Sequence, residues 1–426
     1  MAVTQDVPAP EPTGAVTPAR GVVPQARWRR DLHGRVDTLW LRWLALPPWA
    51  QVLLVYVATR VFAFVVVDRV ARFQPESLWN PPNPGYLGVV SLWDGDWYRR
   101  IAQSGYPDTL PTNEAGQTLQ NQWAFYPLFP ALGRGVMDLT GASWPVAATA
   151  VALLAGAGLV VVLRSLMAPL VGDRLALWTV VLLCCYPAAP VLQFAYTESL
   201  GLLLVVAALW CLQNRHYVVL VPVVLLVGVA RPVAVPLAAV VGLHVLRALW
   251  RHRTEPVPPR RVAAMLAATL ASGVAAVIWP LVAWAGTGQT DAYTDTMAAW
   301  RVGHEVHLFR PWLTISRYVL GYWVGPLVVV LVVAALAAWV LARSSRIIGF
   351  DLRVWCLAYV GYLLAVLDPF TSLARYLLFL FPLGALIASA SPSGAYRRAL
   401  ALAFLAGQVV WVAWLWRFVP PADWPP

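Results

Sequence analysis

Two acids, Asp94 and Asp96, stand two residues apart in SLWDGDWYRR, residues 91–100, between Trp93 and Trp97. A carboxylate at a membrane boundary can act as a general base, taking the proton of a hydroxyl while that oxygen attacks a carbon centre. Spacing separates the two acids. Read as a helix over 92–103, Trp93, Trp97 and Ile101 recur every four residues and make one apolar stripe. Positions i and i+2 do not share a helix face. Asp96 has Arg99 at i+3 and Arg100 at i+4, so ion-pair partners are at hand and a structural role is expected. Asp94 has Trp97 and Tyr98 there, with no basic neighbour on its face. Its charge is expected to be unpaired and partly desolvated, which strengthens a base. Helix geometry leaves two roles open for Asp94, base or helix N-cap.

Other ionisable residues interrupt apolar runs. Glu198 lies in AYTESL, Arg231 in ARPVAVP, and Asp368 and Arg375 bracket DPFTSLARY. Charges at membrane depth are costly and point to function. A structural ion pair between Glu198 and Arg231 is an equal alternative. In WRVGHEVHLFRPW, His304 and His307 are i, i+3 with Glu305 between them. The spacing is not HExxH and no third ligand is evident, so no metal is expected. With Arg301 and Arg310, these histidines suit a lipid phosphate, or else a solvated loop. NQWAFYPLFP, residues 121–130, sets Tyr126 among aromatics and prolines, as a rigid re-entry or an aromatic belt.

The elements that must position these residues are membrane helices. The 426-residue chain is 60% hydrophobic and 12% charged, with mean hydropathy +0.66; soluble domains carry roughly 25% charged residues. An all-α polytopic membrane protein is expected, with about eleven spans near 49–68, 123–139, 145–169, 175–191, 194–213, 217–249, 262–285, 319–342, 352–368, 373–391 and 398–417. The stretch 123–139 contains Pro127, Pro130, Arg134 and Asp138, and fits least well. The stretch 217–249 is overlong, and Pro232 and Pro236 predict a kink or break in it. The net charge is +11 and all basic residues are arginine. These arginines cluster between apolar runs, which excludes a nucleic-acid reading. Groups at 20–42, 247–261, 343–353 and 397–398 fall on one side, the cytoplasmic one by the positive-inside rule. The N-terminus is then cytoplasmic, and the long loops 69–122 and 286–318 face outward. The domain expected is 47–418, flanked by an Arg/Pro-rich tail at 1–46, with an interfacial helix near 26–46, and a short tail at 419–426. The four cysteines, Cys184, Cys185, Cys211 and Cys356, lie in apolar runs and are expected to be packing residues.

WDGDWYRRIAQSGYP, FYPLFP, YTESL, ARP and SLARYLLFLFP occur here in the order found in the PIG-V-like mannosyltransferases, which the chain resembles over about 90–385. The resemblance implies a GT-C fold with a catalytic loop on the outer face of the cell membrane. It implies an inverting, metal-independent transfer without a cofactor. The donor would be polyprenyl-phosphate mannose and the acceptor a glycolipid or cell-envelope glycan. The family's catalytic acid falls on Asp94, and Asp96 inherits no role. The TES motif maps to Thr197, Glu198 and Ser199. The membrane arginine maps to Arg231, followed here by Pro-Val-Ala where eukaryotic members have Ser-Asn-Gly. The C-terminal arginine maps to Arg375. Arg375, with Arg231 or His307, would stabilise the departing phosphate, and Tyr98, Tyr126, His304 and Glu198 would complete the substrate site. The predicted spans leave Glu198 nearer the cytoplasmic side, so either its connection re-enters or Glu198 is structural. A lipid or sugar transporter is the other class compatible with intramembrane charges.

Overall fold

Apolar runs with few charges must satisfy their backbone polar groups internally, and helices do so within one segment. In the computed structural model, residues 43, 45–77, 79–251, 257–301 and 303–417 are described. The tails expected at 1–46 and 419–426 lie outside them, but for three residues. Among the described residues the chain is helical, with one isolated bridge between Thr112 and Thr118. The helices are α1 Pro48–Arg72, α2 Gly85–Val90, α3 Asp94–Ser104, α4 Leu128–Thr140, α5 Trp144–Cys185, α6 Glu198–Gln213, α7 Tyr217–Ala230, α8 Ala234–Arg251, α9 Pro259–Thr287, α10 Ala292–Ala298, α11 Arg310–Leu320, α12 Val324–Leu341, α13 Gly349–Val366, α14 Leu373–Tyr376, α15 Pro382–Ser389 and α16 Gly394–Leu415. Seven helical stretches are long and apolar enough to cross a membrane: α1, α5, α8, α9, α12, Arg343–Val366 and α16. The protein is a multi-pass membrane protein. All four cysteines are buried and free, as packing residues would be.

The 42 residues of α5 would run about 63 Å if straight. Yet Trp144, at its start, donates from Nε1 to the Gly95 carbonyl (2.9 Å), and Ala195, beyond its end, donates to the Val90 carbonyl (2.9 Å). Both ends therefore meet the segment around Asp94. The helix doubles back at Gly172, whose φ of 78° and ψ of 161° suit only glycine. The turn lies at the opposite end of the bundle, where a Cβ on Gly349, at the start of α13, would meet Leu170 at 3.5 Å.

Two expectations about the spans are corrected here. The stretch 123–139 is not a traverse: α4 has 13 residues, and its Arg134 donates to the Ala102 carbonyl of α3 (3.0 Å). It stays beside α3, and Trp144 just after it is still there. The stretch 217–249 is two helices, α7 and α8, divided at Arg231, whose backbone is extended (φ −167°, ψ 153°) before Pro232. One traverse is lost and one gained. About eleven remain among the described residues: α1, the two arms of α5, α6, α7, α8, α9, α12, α13, the segment α14–α15 and α16. Between the two corrections the polarity of the chain inverts. Glu198 and Arg231 therefore lie at the Asp94 end, not the far one, and neither a re-entrant loop nor a mid-membrane arginine is needed.

Close packing depends on small residues. Gly228 on α7 approaches α9 so closely that a Cβ there would lie 2.6 Å from the Ala275 carbonyl oxygen. In the first traverse, buried Arg60 donates to the Cys184 carbonyl (3.0 Å) and to Ala189, satisfying acceptors left open where α5 ends.

Candidate active site

The helix expected over 92–103 is α3, beginning at Asp94. Trp93 precedes it at φ 51° and ψ −108°, a strained conformation that costs roughly 1–3 kcal/mol. Trp93 therefore does not belong to the helical wheel, and the stripe shifts from the one expected. The buried face is Gly95, Tyr98, Ile101 and Ala102. Gly95 lets α3 sit against Ala195, which a Cβ would meet at 3.3 Å. Trp93 packs on Trp416 (5.1 Å between centroids), and Trp97 packs on Phe125 (5.7 Å) and Trp300 (5.5 Å). Both tryptophans thus hold protein to protein.

Asp96 behaves as its spacing predicts. Arg99 Nη2 lies 2.6 Å from Oδ1 and Arg100 Nε 2.9 Å from Oδ2, and Arg100 also covers the Trp97 ring (4.6 Å). Asp94 does not. Its carboxylate makes no N-cap bond and is not unpaired: Arg375 Nη1 lies 2.6 Å from Oδ2. The partner comes from α14, far along the chain, so inspection of one helix face cannot find it. Arg375 Nη1 also donates to Glu198 Oε1 (2.9 Å), and Arg231 Nη1 lies 3.0 Å from the same oxygen. Four charges thus run in alternation, Asp94, Arg375, Glu198, Arg231, and sum to zero. Glu198 is fully buried, both arginines are nearly so, and Asp94 alone keeps a quarter of its side chain exposed.

Fixed partners surround this chain of charges. Arg231 Nη1 donates to Thr197 Oγ1 (2.9 Å), and the Tyr98 hydroxyl reaches the same oxygen (3.3 Å). Tyr376 lies between the guanidinium groups, 5.3 Å from that of Arg375 and 5.0 Å from that of Arg231. Tyr196 flanks Arg375 at 5.2 Å, and its hydroxyl donates to the Leu92 carbonyl (3.1 Å). Burial, helped by the Asp94 charge, pushes the Tyr98 phenol above its ordinary value, so Tyr98 is a donor and not a base. Two polar atoms in this cluster, Glu198 Oε2 and Arg375 Nε, are buried without a partner among the described residues. Sequence reasoning missed Gly95, Tyr196 and Tyr376. The one available signal was that each tyrosine lies within two residues of an ionisable residue already singled out.

The remaining candidates lie elsewhere. The Tyr126 hydroxyl is 3.4 Å from that of Tyr293, and burial pushes its phenol well above the ordinary value. Its neighbour Trp123 is buried, accepts at its carbonyl from Trp279 Nε1 (3.0 Å) and donates to the Pro107 carbonyl (3.0 Å). NQWAFYPLFP therefore ties the loop 69–122 to α9 and α10, Asn121 reaching Thr296 (3.1 Å), and is not an exposed belt. His304 and His307 are exposed; His307 meets Glu305 (2.8 Å) and Arg310 (3.3 Å), and no described contact joins either histidine to the charge chain. Arg301 pairs with Asp368 and donates to the Val366 carbonyl, fastening the loop 286–318 beside the segment that carries Arg375. Among the described residues no three His, Cys, Asp or Glu side chains group as metal ligands.

No known protein family matches the chain, and no curated protein is similar to it. Two solved structures of the oligosaccharyltransferase of Archaeoglobus fulgidus are similar. One, tethered to an acceptor peptide containing the NVT sequon, shares 13% identity at a TM-score of 0.43, over 87% of this chain and 56% of that one. The other, in complex with zinc and sulfate, shares 12% identity at a TM-score of 0.36, over 84% and 48%. The chain spans about half the length of these structures.

Proposed function

We propose that the chain is a membrane glycosyltransferase of the GT-C type that transfers mannose, with inversion, from polyprenyl-phosphate mannose to a lipid-linked or cell-envelope glycan. One observation carries this reading: Asp94, Glu198, Arg231 and Arg375, from the separate motifs WDGDWY, YTES, ARP and SLARY, meet in one continuous chain of ion pairs whose most exposed member is Asp94. Placement of the arginine clusters at the other end of the bundle supports an active site on the extracytoplasmic face of the cell membrane.

Asp94 is the base. Arg375 holds Oδ2, and Oδ1 remains to accept the proton of an acceptor hydroxyl. As that proton moves, the acceptor oxygen bonds to the anomeric carbon and the bond from that carbon to the phosphate oxygen breaks. The electron pair leaves with the polyprenyl phosphate. A β-linked donor gives an α-linked product. The leaving group is already an anion, so one base suffices where glycosidases need paired carboxylates. Arg375, held against Asp94, places its positive charge beside the departing phosphate. Glu198 and Arg231 position Arg375, and Tyr98 and Thr197 position Arg231.

The test is product analysis in membranes with and without the protein, supplied with radiolabelled polyprenyl-phosphate mannose. Protein-dependent transfer of label to a glycolipid or glycan is expected. If label stays on the donor, or moves only from another lipid-linked sugar, the mannose assignment is wrong.

A further inference from the structure

At the end of the bundle opposite Asp94 lies a cleft of about 280 Å³ that plays no part in the proposed transfer. Arg231 precedes α8, and along that helix Arg247 and Arg251 lie about 20 and about 26 Å from its first residue. The cleft gathers Arg247 and Arg251 with Arg215, which precedes α7, and Arg261 of α9. Among the described residues one carboxylate lines the cleft, that of Asp351, and it is already engaged: His244 Nδ1 lies 2.9 Å from it, while His244 Nε2 meets the Tyr217 hydroxyl (3.0 Å). Among the described residues no acid pairs with Arg215, Arg247 or Arg261, and Arg247 instead lies over the Phe350 ring at 4.3 Å. Three arginines lining one cleft without an acid partner among the described residues repel one another unless an anion joins them.

We propose that this cleft binds the phosphate headgroup of an anionic membrane lipid. Guanidinium groups are suited to phosphate oxygens by their forked donors. The source is a lipid rather than a soluble phosphate because the walls continue into apolar surface. Met265, Ala248 and Val257 line the cleft, and Leu246, Trp250, Leu266 and Leu270 are exposed on the same two helices, where acyl chains would lie. Basic pockets between helices at the cytoplasmic end have the geometry for such headgroups.

The test uses the full chain in neutral detergent, with phosphatidylglycerol or phosphatidylcholine added and retention read by native mass spectrometry. The wild type should keep one phosphatidylglycerol after phosphatidylcholine has dissociated. Arg247→Gln/Arg261→Gln should weaken that retention at least ~10-fold, a cost within the range of lost charge-assisted hydrogen bonds. Arg343→Gln/Arg346→Gln, which removes two exposed arginines at the same end, should leave it unchanged. If the cleft variant melts below wild type in phosphatidylcholine, the exposed Arg215→Gln is read in the same way. Equal retention of the two lipids by wild type, or equal loss in both double variants, overturns the site. Displacement of phosphatidylglycerol by millimolar inorganic phosphate overturns the lipid as its source.

Discussion

Arg375 Nη1 lies 2.6 Å from Asp94 Oδ2, although 281 positions separate the two residues. This contact turns an acid in a surface-facing loop into the open terminus of a buried charge chain. It also separates the two acids of WDGDWY more sharply than their spacing does.

Asp94→Asn should lower transfer in the membrane assay by about 10²–10⁴-fold, the usual contribution of a general base. Asp96→Asn removes only half-exposed pairs, worth roughly 1 kcal/mol or less, and should retain activity within a few-fold. Near-normal turnover in Asp94→Asn together with loss in Asp96→Asn would falsify the assignment of the base.

Glu198 is the acid shared by both arginines, so its loss is the most damaging in the chain. Glu198→Gln leaves Arg231 buried without a carboxylate, and breaking a buried pair costs about 3–5 kcal/mol. Thermal melting in detergent should show a large drop for Glu198→Gln and a smaller one for Arg231→Gln, which leaves Glu198 with Arg375. The double variant should recover part of the difference. Strictly additive losses would mean that the two side chains are not coupled.

Thr197 accepts from two donors and Tyr98 supplies one of them. Thr197→Val should therefore destabilise more than Tyr98→Phe, with the latter near 0.5–1.5 kcal/mol. The reverse order in melting experiments would remove Thr197 from the support of Arg231.

Gly228→Ala tests the crossing of α7 and α9. The added carbon meets backbone at 2.6 Å, which cannot swing aside as a side chain can. Overpacking of about 1–3 kcal/mol should outweigh the gain in helix propensity and lower the melting temperature. An unchanged or higher value would show that the helices separate without cost.

The sequence made some of this legible. The pairing of Asp96 follows from positions three and four along one helix, and the break near Arg231 follows from Pro232 and Pro236. The partner of Asp94 was hidden because periodicity reports only contacts within one element. Two misplaced spans hid the location of Glu198. Leu128–Thr140 is apolar enough to resemble a crossing, while Arg231 and the prolines after it read as a kink within one span as readily as a division between two. Since one error removed a reversal and the other added one, the arginine clusters still fell on one side. Their agreement could not expose either mistake; what lies between the two spans, Glu198 and Arg215 included, came out on the wrong side.

The long interval between Asp94 and Arg375 has a consequence for biosynthesis. During translation Asp94 emerges early, and Glu198 and Arg231 follow, but the arginine that joins them is made only when most of the chain has been inserted. Until then the early helices hold a buried glutamate with one cation and an aspartate with none. A chain truncated before the final segments would carry every acid of the site and lack its connection. A segment made late is therefore the part that joins the residues made early.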